Sequence, residues 1–351
     1  MEVIENVFGE IDGKMVKSYT VINATGMEFT CIEYGCIITK IIVPDKYGVK
    51  ENVVIGFDTI EEYKDHSQYF GAVIGRTSGR IKNAEFTLDG KAYKLAKNEG
   101  GNSLHGGIKG FHNLVWDSTY ESNSSGVHIT FTHNSPDGEE GFPGELDMQV
   151  IYTINDANEL IISYRGVSNK KTVVNVTNHS YFNLSGNLKR TILSHELMMK
   201  SDQFLELDSS FIPTGKTIPV ENTVFDFRKG KQVGQGIPSN DPQIELVGGG
   251  YDHPFLLTSN NQNEICLKDQ ESGRMLQVET DEPCVVVYSG NSLATDFQIR
   301  GVQSQKHLGI CLETQAPPNM INTPGFPSAI LEANEVYSTR TKYTFGLIEE
   351  K

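Results

Sequence analysis

The sequence has few features of a secreted, membrane or nucleic-acid-binding protein. Its five cysteines are an odd number and include no Cys-x-x-Cys pair, which argues against a disulfide framework. No stretch approaches the roughly 20 apolar residues that span a bilayer, and the first residues are acidic where a signal peptide would be basic. A net charge of −15 supplies no basic face for phosphate. We therefore expect a cytoplasmic protein with reduced thiols and with neither a nucleic-acid nor a membrane partner.

Motifs for metal and nucleotide cofactors are missing as well. The nine histidines form no His-x-His, HExxH or Cys/His cluster at the spacing of metal ligands. No GxGxxG follows a strand pattern, no P-loop occurs, and the run Gly248–Gly250 is typical of a turn. We therefore predict that the protein uses no metal and no cofactor.

Short strands and tight turns are the patterns that the sequence does contain. Its 34 glycines are spread along the chain as turn residues. Alternating apolar and polar side chains, typical of half-buried strands, occur at residues 127–132, 148–154 and 160–167. Asp89-Gly90 is typical of a two-residue hairpin turn, and the best helix pattern, at residues 59–63, is short and begins after Asp58 or Thr59. Because no linker interrupts these patterns, we predict an all-β protein with a single domain, residues 1–351.

The most informative polar segment is Thr177–Gly186, which carries His179 directly after the apolar stretch Val173–Val176. We expect a strand that delivers the imidazole to a loop. Because histidine exchanges protons near neutrality, this placement suggests general acid or base chemistry. The alternative is a structural histidine that donates to a backbone carbonyl at a strand end.

Glu313 lies near the other end of the chain, between the apolar run Leu308–Cys311 and the segment Ala316–Pro318. We expect it to close a strand just before a turn. A carboxylate there can act as a base, since the prolines stiffen the chain behind it. The alternative is a solvated glutamate at a strand end.

Two further polar side chains stand beside glycines. His105 belongs to the Gly-rich turn Asn102–Gly107, and Asp252 lies between Gly248–Gly250 and an apolar strand pattern. Taken singly, each is ordinary turn chemistry. They become informative when they are considered together with the segments around His179 and Glu313, in their order along the chain.

Five segments, taken together and in this order, resemble the aldose 1-epimerase family, the galactose mutarotases: Gly75–Ile81, Asn102–Gly107, Thr177–Gly186, Tyr251–Phe255 and Leu312–Gln315. The resemblance runs nearly from end to end. It implies a large antiparallel β-sandwich of the galactose mutarotase type, a supersandwich. It also implies an isomerase that interconverts the α and β anomers of free hexoses such as glucose and galactose.

The resemblance also implies roles for five residues. Opening the ring of a sugar hemiacetal requires a base at the anomeric hydroxyl and an acid at the ring oxygen, which we expect on different sides of C1. Glu313 is the expected base and His179 the expected acid, and their roles reverse when the ring closes on the other face of the aldehyde. His105 and Asp252 are expected to bind sugar hydroxyls, and Arg80 to complete the polar floor with its guanidinium fork.

Three positions leave the substrate open. Arg76 is either a substrate contact or part of a structural ion pair beneath the site. Many members of the family carry Ala-Asn where this chain has Ser78-Gly79, and Gln where it has Val286. Two amide groups that could contact the sugar are therefore missing, and the preferred hexose is not predicted.

Three other functions remain possible from the sequence. A hexose-phosphate 1-epimerase would need a cluster of Arg or Lys at the pocket mouth. A non-catalytic sugar-binding or regulatory protein could keep His105, Asp252 and Arg80 but would not need both Glu313 and His179. A glycoside hydrolase needs two carboxylates about 5 to 10 Å apart, for which Asp252 and Glu313 are candidates. The expected partner in the main prediction is a monosaccharide, bound by a monomer or a homodimer.

Overall fold

Antiparallel strands make up most of the protein, which we describe from a computed structural model covering residues 1–66, 68–326 and 329–349. The first fifteen strands of the described residues are β1 Glu2–Ile11, β2 Lys14–Ile22, β3 Glu28–Ile32, β4 Ile38–Pro44, β5 Lys50–Asn52, β6 Val73–Ile74, β7 Arg80–Ile81, β8 Glu85–Leu88, β9 Lys91–Lys94, β10 Ser103–Leu104, β11 Asp117–Asn123, β12 Gly126–Ser135, β13 Leu146–Ile154, β14 Glu159–Ser168 and β15 Thr172–Val173. The other fifteen are β16 Thr177–Asn178, β17 Tyr181–Phe182, β18 Glu196–Met199, β19 Ser201–Leu207, β20 Pro213–Pro219, β21 Lys231–Gln232, β22 Asp252–Leu257, β23 Ile265–Lys268, β24 Arg274–Thr280, β25 Cys284–Tyr288, β26 Gln298–Ile299, β27 Val302–Gln303, β28 Ile310–Gln315, β29 Ile330–Leu331 and β30 Val336–Leu347.

Three large sheets contain most of these strands. A five-stranded sheet has the order β1-β2-β3-β4-β5, and a six-stranded sheet has the order β17-β28-β25-β22-β19-β20. The largest sheet has nine strands in the order β11-β12-β13-β14-β30-β24-β23-β18-β21. The two α-helices in the described ranges are short, α1 Ile60–Asp65 and α2 Pro242–Leu246. Neither these helices nor any other described helix is long and apolar enough to cross a membrane.

The local patterns of the sequence are confirmed. The three alternating segments lie in β12, β13 and β14, whose side chains alternate between buried and more exposed positions. Asp89 and Gly90 connect β8 to β9 with φ angles of 49° and 76°, as a type I′ turn requires. Thr59 caps α1, because its hydroxyl accepts from the backbone N–H of Glu62 while the Glu62 carboxylate accepts from the N–H of Thr59.

A continuous hydrophobic core joins the three large sheets. It includes Phe29 of β3, Phe131 of β12, Phe255 of β22, Leu312 of β28 and Tyr343 of β30, all of them buried. Burial of each such side chain contributes about 1.5 to 3 kcal/mol. Because neighbouring residues of a strand point to opposite faces, the core-facing residues of β22 and β28 direct the residues between them to the other face of the six-stranded sheet.

Two expectations about local structure are wrong. Glu313 does not close its strand, because Thr314 and Gln315 continue the ladder opposite Val285 and Cys284. The apolar residues before His179 do not form one strand, since β15 ends at Val173 and pairs with β29, whereas β16 is a separate pair of residues bonded to β6. In both places, pairing with a distant strand overrides the local pattern.

We expect acid to destabilise the fold partly through His253. This side chain is fully buried, its Nε2 has no hydrogen-bond partner among the described residues, and burial lowers its pKa to about 3. The unfolded chain binds this proton below about pH 6.5, so stability is lost as the pH falls through that value. From about pH 7.5 to about pH 5, this group should reduce the free energy of unfolding by about 2 kcal/mol.

Urea unfolding of the protein and of a His253→Asn variant at both pH values measures this contribution. The asparagine oxygen can still accept from the N–H of Asp252, which the imidazole Nδ1 accepts in the native protein. The variant should therefore lose that part of the pH dependence. An equal pH dependence in the two proteins would contradict the assignment.

Candidate functional site

The five predicted site residues line one pocket. Its volume is about 320 Å³, within the range of pockets that bind small molecules. Arg80, His105, His179, Asp252 and Glu313 all contribute to its wall. Residues predicted from distant parts of the chain are therefore brought together by the fold.

The pocket floor is the outer face of three neighbouring strands, β22, β25 and β28. Glu313 of β28 lies opposite Val286 of β25, and Val286 lies opposite Pro254 of β22. Asp252 lies opposite Tyr288 one step along the same face. Because residues two apart share a face of a strand, these side chains lie together in the pocket while their neighbours enter the core.

His179 reaches the floor from a tightly held loop between β16 and β17. Its backbone N–H donates to the carbonyl of Ala72 at 2.8 Å, and its carbonyl accepts from the N–H of Gly71 at 3.1 Å. The Nε2 atom lies 3.4 Å from Oε1 of Glu313, and Nδ1 lies 3.5 Å from Sγ of Cys311. The predicted acid and base are therefore neighbours in one pocket.

Burial drives both of these groups toward their neutral forms. It lowers the pKa of His179 to about 4. Burial, aided by the charge of Asp252, raises the pKa of Glu313 well above its ordinary value, while Arg80 opposes that rise. Burial likewise raises the pKa of Asp252. At the 3.4 Å contact, burial therefore favours the neutral form of both the imidazole and the carboxyl group.

His105 belongs to a turn whose backbone fixes the protonation of the ring. The N–H of Gly79 points at Nδ1 of His105 at 3.2 Å, so the neutral ring carries its proton on Nε2. The two imidazoles, His105 and His179, meet edge to face with centroids 5.3 Å apart. The next residue is Gly106, where a Cβ would lie 1.8 Å from the carbonyl oxygen of Gly75. Only glycine lets the turn approach this closely.

Arg80 is held in place by Glu99. The Nε atom of Arg80 donates to both carboxylate oxygens at 3.0 and 3.1 Å, and Nη2 donates to Oε1 at 2.8 Å. The guanidinium carbon also lies 5.1 Å from the ring centre of Phe211. This pairing fixes the direction of the guanidinium and leaves Nη1 without a partner among the described residues.

Arg76 lies outside the pocket and has a structural position. It is 2% exposed, and its guanidinium donates to Ser135 Oγ at 2.9 Å and to the carbonyls of Pro136 and Pro143 at 3.1 and 2.9 Å. The side chain is therefore held by the protein, but not by the ion pair that the sequence suggested. The partners are neutral oxygens, and within the described ranges the side chain forms no ion pair.

Several pocket residues were not predicted from the sequence. Tyr69 packs its ring against three histidines, His105, His112 and His179, at 4.6, 4.8 and 5.7 Å. No local signal marks Tyr69 or Glu99 as part of a site. Gln315 is fully buried, and neither the nitrogen nor the oxygen of its amide has a hydrogen-bond partner in the part of the chain that the structure describes. Its position two residues after Glu313 could have identified it.

The nitrogen and oxygen ligand atoms of His105, His179 and Glu313 lie within 4.8 Å of one another. Two imidazoles and a carboxylate are a donor set found around catalytic zinc. A metal-bound imidazole, however, normally donates a proton from its other nitrogen. Nδ1 of His105 accepts from Gly79 instead, so the free nitrogen carries the proton that a metal would have to replace. The residues present therefore fit a metal poorly.

Comparison with known proteins identifies the family. The family model for Aldose 1-epimerase matches residues 17–344. The chain belongs to the aldose 1-epimerase family. It is 40% identical over 351 residues to galactose mutarotase of Sus scrofa, covering 99% of both chains. It is 33% identical over 340 residues to aldose 1-epimerase of Escherichia coli (strain K12), covering 95% of this chain and 96% of that one.

The fold comparison agrees with this assignment. The crystal structure of galactose 1-epimerase from Lactobacillus acidophilus NCFM superimposes with a TM-score of 0.89 at 29% identity and covers 99% of both chains. The predicted family and the predicted galactose mutarotase type of β-fold are both confirmed.

Removal of divalent metals should leave the activity of this family member unchanged, because the tautomer of His105 opposes metal binding. Dialysis against EDTA followed by a rate measurement on a free hexose tests this expectation. A matched sample dialysed without chelator is the control. A rate that falls after chelation and returns when a divalent cation is added back would contradict it.

Proposed function

We propose that this protein is an aldose 1-epimerase that interconverts the α and β anomers of free hexoses such as glucose and galactose. Family membership over nearly the whole chain supports the reaction class. The observation that carries the mechanism is the 3.4 Å contact between Nε2 of His179 and Oε1 of Glu313 inside one pocket. Their close approach supports a mechanism in which both act on one hemiacetal.

The hemiacetal itself explains why the two groups should be neighbours. The anomeric hydroxyl oxygen and the ring oxygen are both bonded to C1. In the proposed opening, the proton of the pair first moves from Glu313 to Nε2 of His179. Ionised Glu313 then takes the hydroxyl proton while protonated His179 gives a proton to the ring oxygen. The bond from C1 to the ring oxygen breaks and the C1 carbonyl forms. Rotation about the bond between C1 and C2 then presents the other face of the aldehyde.

One proton shared between Glu313 and His179 is sufficient for the whole cycle. After ring opening, the proton lies on Glu313 and His179 is neutral, which is the distribution that burial favours in the free protein. Ring closure on the other face reverses both transfers and restores the starting state. The reaction therefore requires no net uptake or release of a proton.

The remaining polar groups are proposed to bind the sugar. The Nε2–H of His105 is available as a donor, and the Asp252 carboxyl offers acceptors on the pocket floor. Nη1 of Arg80 has no protein partner in the described part of the chain, while Glu99 holds the rest of its guanidinium. These groups would orient the ring so that C1 lies beside Glu313 and His179.

The rival functions receive less support. Arg80 is the only cationic side chain among the described residues that line the pocket, and it is already paired with Glu99. A phosphorylated hexose would therefore meet only a guanidinium whose charge Glu99 already neutralises. A glycosidase could use Asp252 and Glu313, but that mechanism gives no role to the close contact with His179. A non-catalytic sugar-binding protein would not need that contact either.

We also propose a reducing, cytoplasmic location. All five cysteines are unpaired and buried. Free thiols of this kind are typical of proteins kept in a reduced compartment.

Loss of either proton-transfer group should reduce turnover strongly. Glu313→Gln and His179→Asn should each lower kcat at least about 100-fold, because each removes one group that moves a proton in the transition state. Polarimetry of freshly dissolved α-D-glucose and α-D-galactose measures the rate. Sugar binding, measured by calorimetry, should decrease much less.

Glu121→Gln and His128→Asn are matched controls on β11 and β12. Glu121 is exposed and neither side chain lines the pocket, so both variants should keep the native rate. Full activity in the Glu313 or His179 variants would refute the mechanism. Hydrolysis of nitrophenyl glycosides without accelerated mutarotation would favour the glycosidase, and sugar binding without either activity would favour the non-catalytic function.

A phosphate group on the sugar should reduce catalysis. We expect kcat/KM for glucose 6-phosphate to be at least about tenfold lower than for glucose, since a buried phosphate would face a guanidinium already neutralised by Glu99 and would leave at least one of its charge-assisted hydrogen bonds unmade. Coupled assays of anomer-specific dehydrogenases measure both rates. A preference for the phosphorylated sugar would overturn the assignment to free hexoses.

A further inference from the structure

One strand contacts both ring nitrogens of His179. Cys311 and Glu313 are two residues apart in β28 and therefore share its outer face. Sγ of Cys311 lies 3.5 Å from Nδ1 of His179, and Oε1 of Glu313 lies 3.4 Å from Nε2. Rotation of the imidazole about its side-chain bonds would break both contacts. The orientation of the ring is therefore set by the spacing of two side chains on a single strand.

We propose that Cys311 is a positioning residue that holds His179 with Nε2 directed at Glu313 and the sugar, an inference that rests on the proposed function. A thiol is both a weak donor and a weak acceptor. Because His179 gives its proton from Nε2, Nδ1 keeps its hydrogen, and the sulfur accepts from Nδ1–H both when the imidazole is protonated and when it is neutral. The same contact therefore persists through both states that His179 passes through during turnover.

A weak partner suits a group that must give its proton away. A carboxylate at Nδ1 would stabilise the protonated imidazole and raise its pKa, which would make it a weaker acid. Burial raises the pKa of Cys311 well above its ordinary value, so the thiol stays neutral. A neutral partner orients the ring without adding a charge.

The sheet fixes the position of the thiol from both sides. Cys311 pairs with Tyr181 of β17 on one side and with Tyr288 of β25 on the other. Tyr181 is itself only two residues after His179, so the loop that carries the imidazole is tied to the strand that carries the thiol. Cys311 is also fully buried, which keeps water from replacing it at Nδ1.

The other titratable groups around His179 approach from different elements. No described residue other than Cys311 forms a side-chain hydrogen bond with Nδ1. The groups that surround the ring are Glu313, Tyr69, His105, His112, Tyr181 and Tyr288. Substitution at position 311 leaves all of them in place, so a change in the pH profile would report on the Nδ1 contact.

Three variants test the proposal by polarimetry over a range of pH. Cys311→Ala should lower kcat about tenfold, the lower end of what outer partners of functional imidazoles contribute, with KM nearly unchanged. Cys311→Ser should recover most of that loss, because a hydroxyl oxygen can also accept from Nδ1–H. The pH dependence of kcat/KM should report the pKa of His179. This pKa should rise from the Ala variant to the native Cys to the Ser variant, because a stronger acceptor at Nδ1 stabilises the protonated ring more.

Cys284→Ala is the matched control. Cys284 is fully buried in the neighbouring strand β25, opposite Gln315, and makes no contact with His179. This variant should keep the native kcat and pH profile, while denaturant unfolding confirms that all three variants are folded. If the Cys311→Ala protein does not fold, the pH shift of Cys311→Ser decides.

Native kcat in Cys311→Ala, no recovery in Cys311→Ser, or an equal loss in Cys284→Ala would each overturn the proposal. These results are distinguishable from failure of the proposed function. If the native protein does not accelerate mutarotation at all, the function is wrong. If the native protein accelerates mutarotation but Cys311→Ala, Cys311→Ser and Cys284→Ala all show the same kcat and pH profile, only the role of Cys311 is wrong.

Discussion

The alternation of side chains along β28 is the constraint on which the site depends. Ile310 and Leu312 enter the core, and this fixes Cys311, Glu313 and Gln315 on the opposite face. The strand is bonded to β17 and β25, so its backbone has little freedom to move. A one-residue slip of register would exchange the two faces and bury the pocket residues in the core. Stability of the fold and placement of the carboxyl group are therefore the same structural requirement.

Burial then determines the chemistry of these groups. In water, a carboxyl group and an imidazole in contact would exist as a charged pair near neutrality. Here the pKa of Glu313 is raised well above its ordinary value and that of His179 is lowered to about 4, so the proton is retained by the pair. Arg80 limits the effect, because its charge favours ionised Glu313 and Asp252. Exclusion of water by the fold thus favours the neutral form of both groups.

Much of this could be predicted from the sequence, and the exceptions have a common cause. Alternating patterns identified β12 to β14, and Asp89-Gly90 identified a hairpin, since both signals are local. Resemblance to a family identified the five pocket residues. The end of the strand at Glu313 was misjudged, because Thr314 and Gln315 look like a turn start until their pairing with β25 is known. Glu99 and Cys311 were missed for the same reason, since their partners lie far away in the sequence.

The pocket is built from two kinds of structure with different freedom to change. Its floor consists of paired strands, whereas Phe211 lies in the connection between β19 and β20 and Val247 follows α2 at the rim. Substitutions in these connections can alter the shape of the pocket without moving the strands that carry Asp252 and Glu313. Selection for a new monosaccharide, in nature or in a directed-evolution library, would therefore act first on these connections.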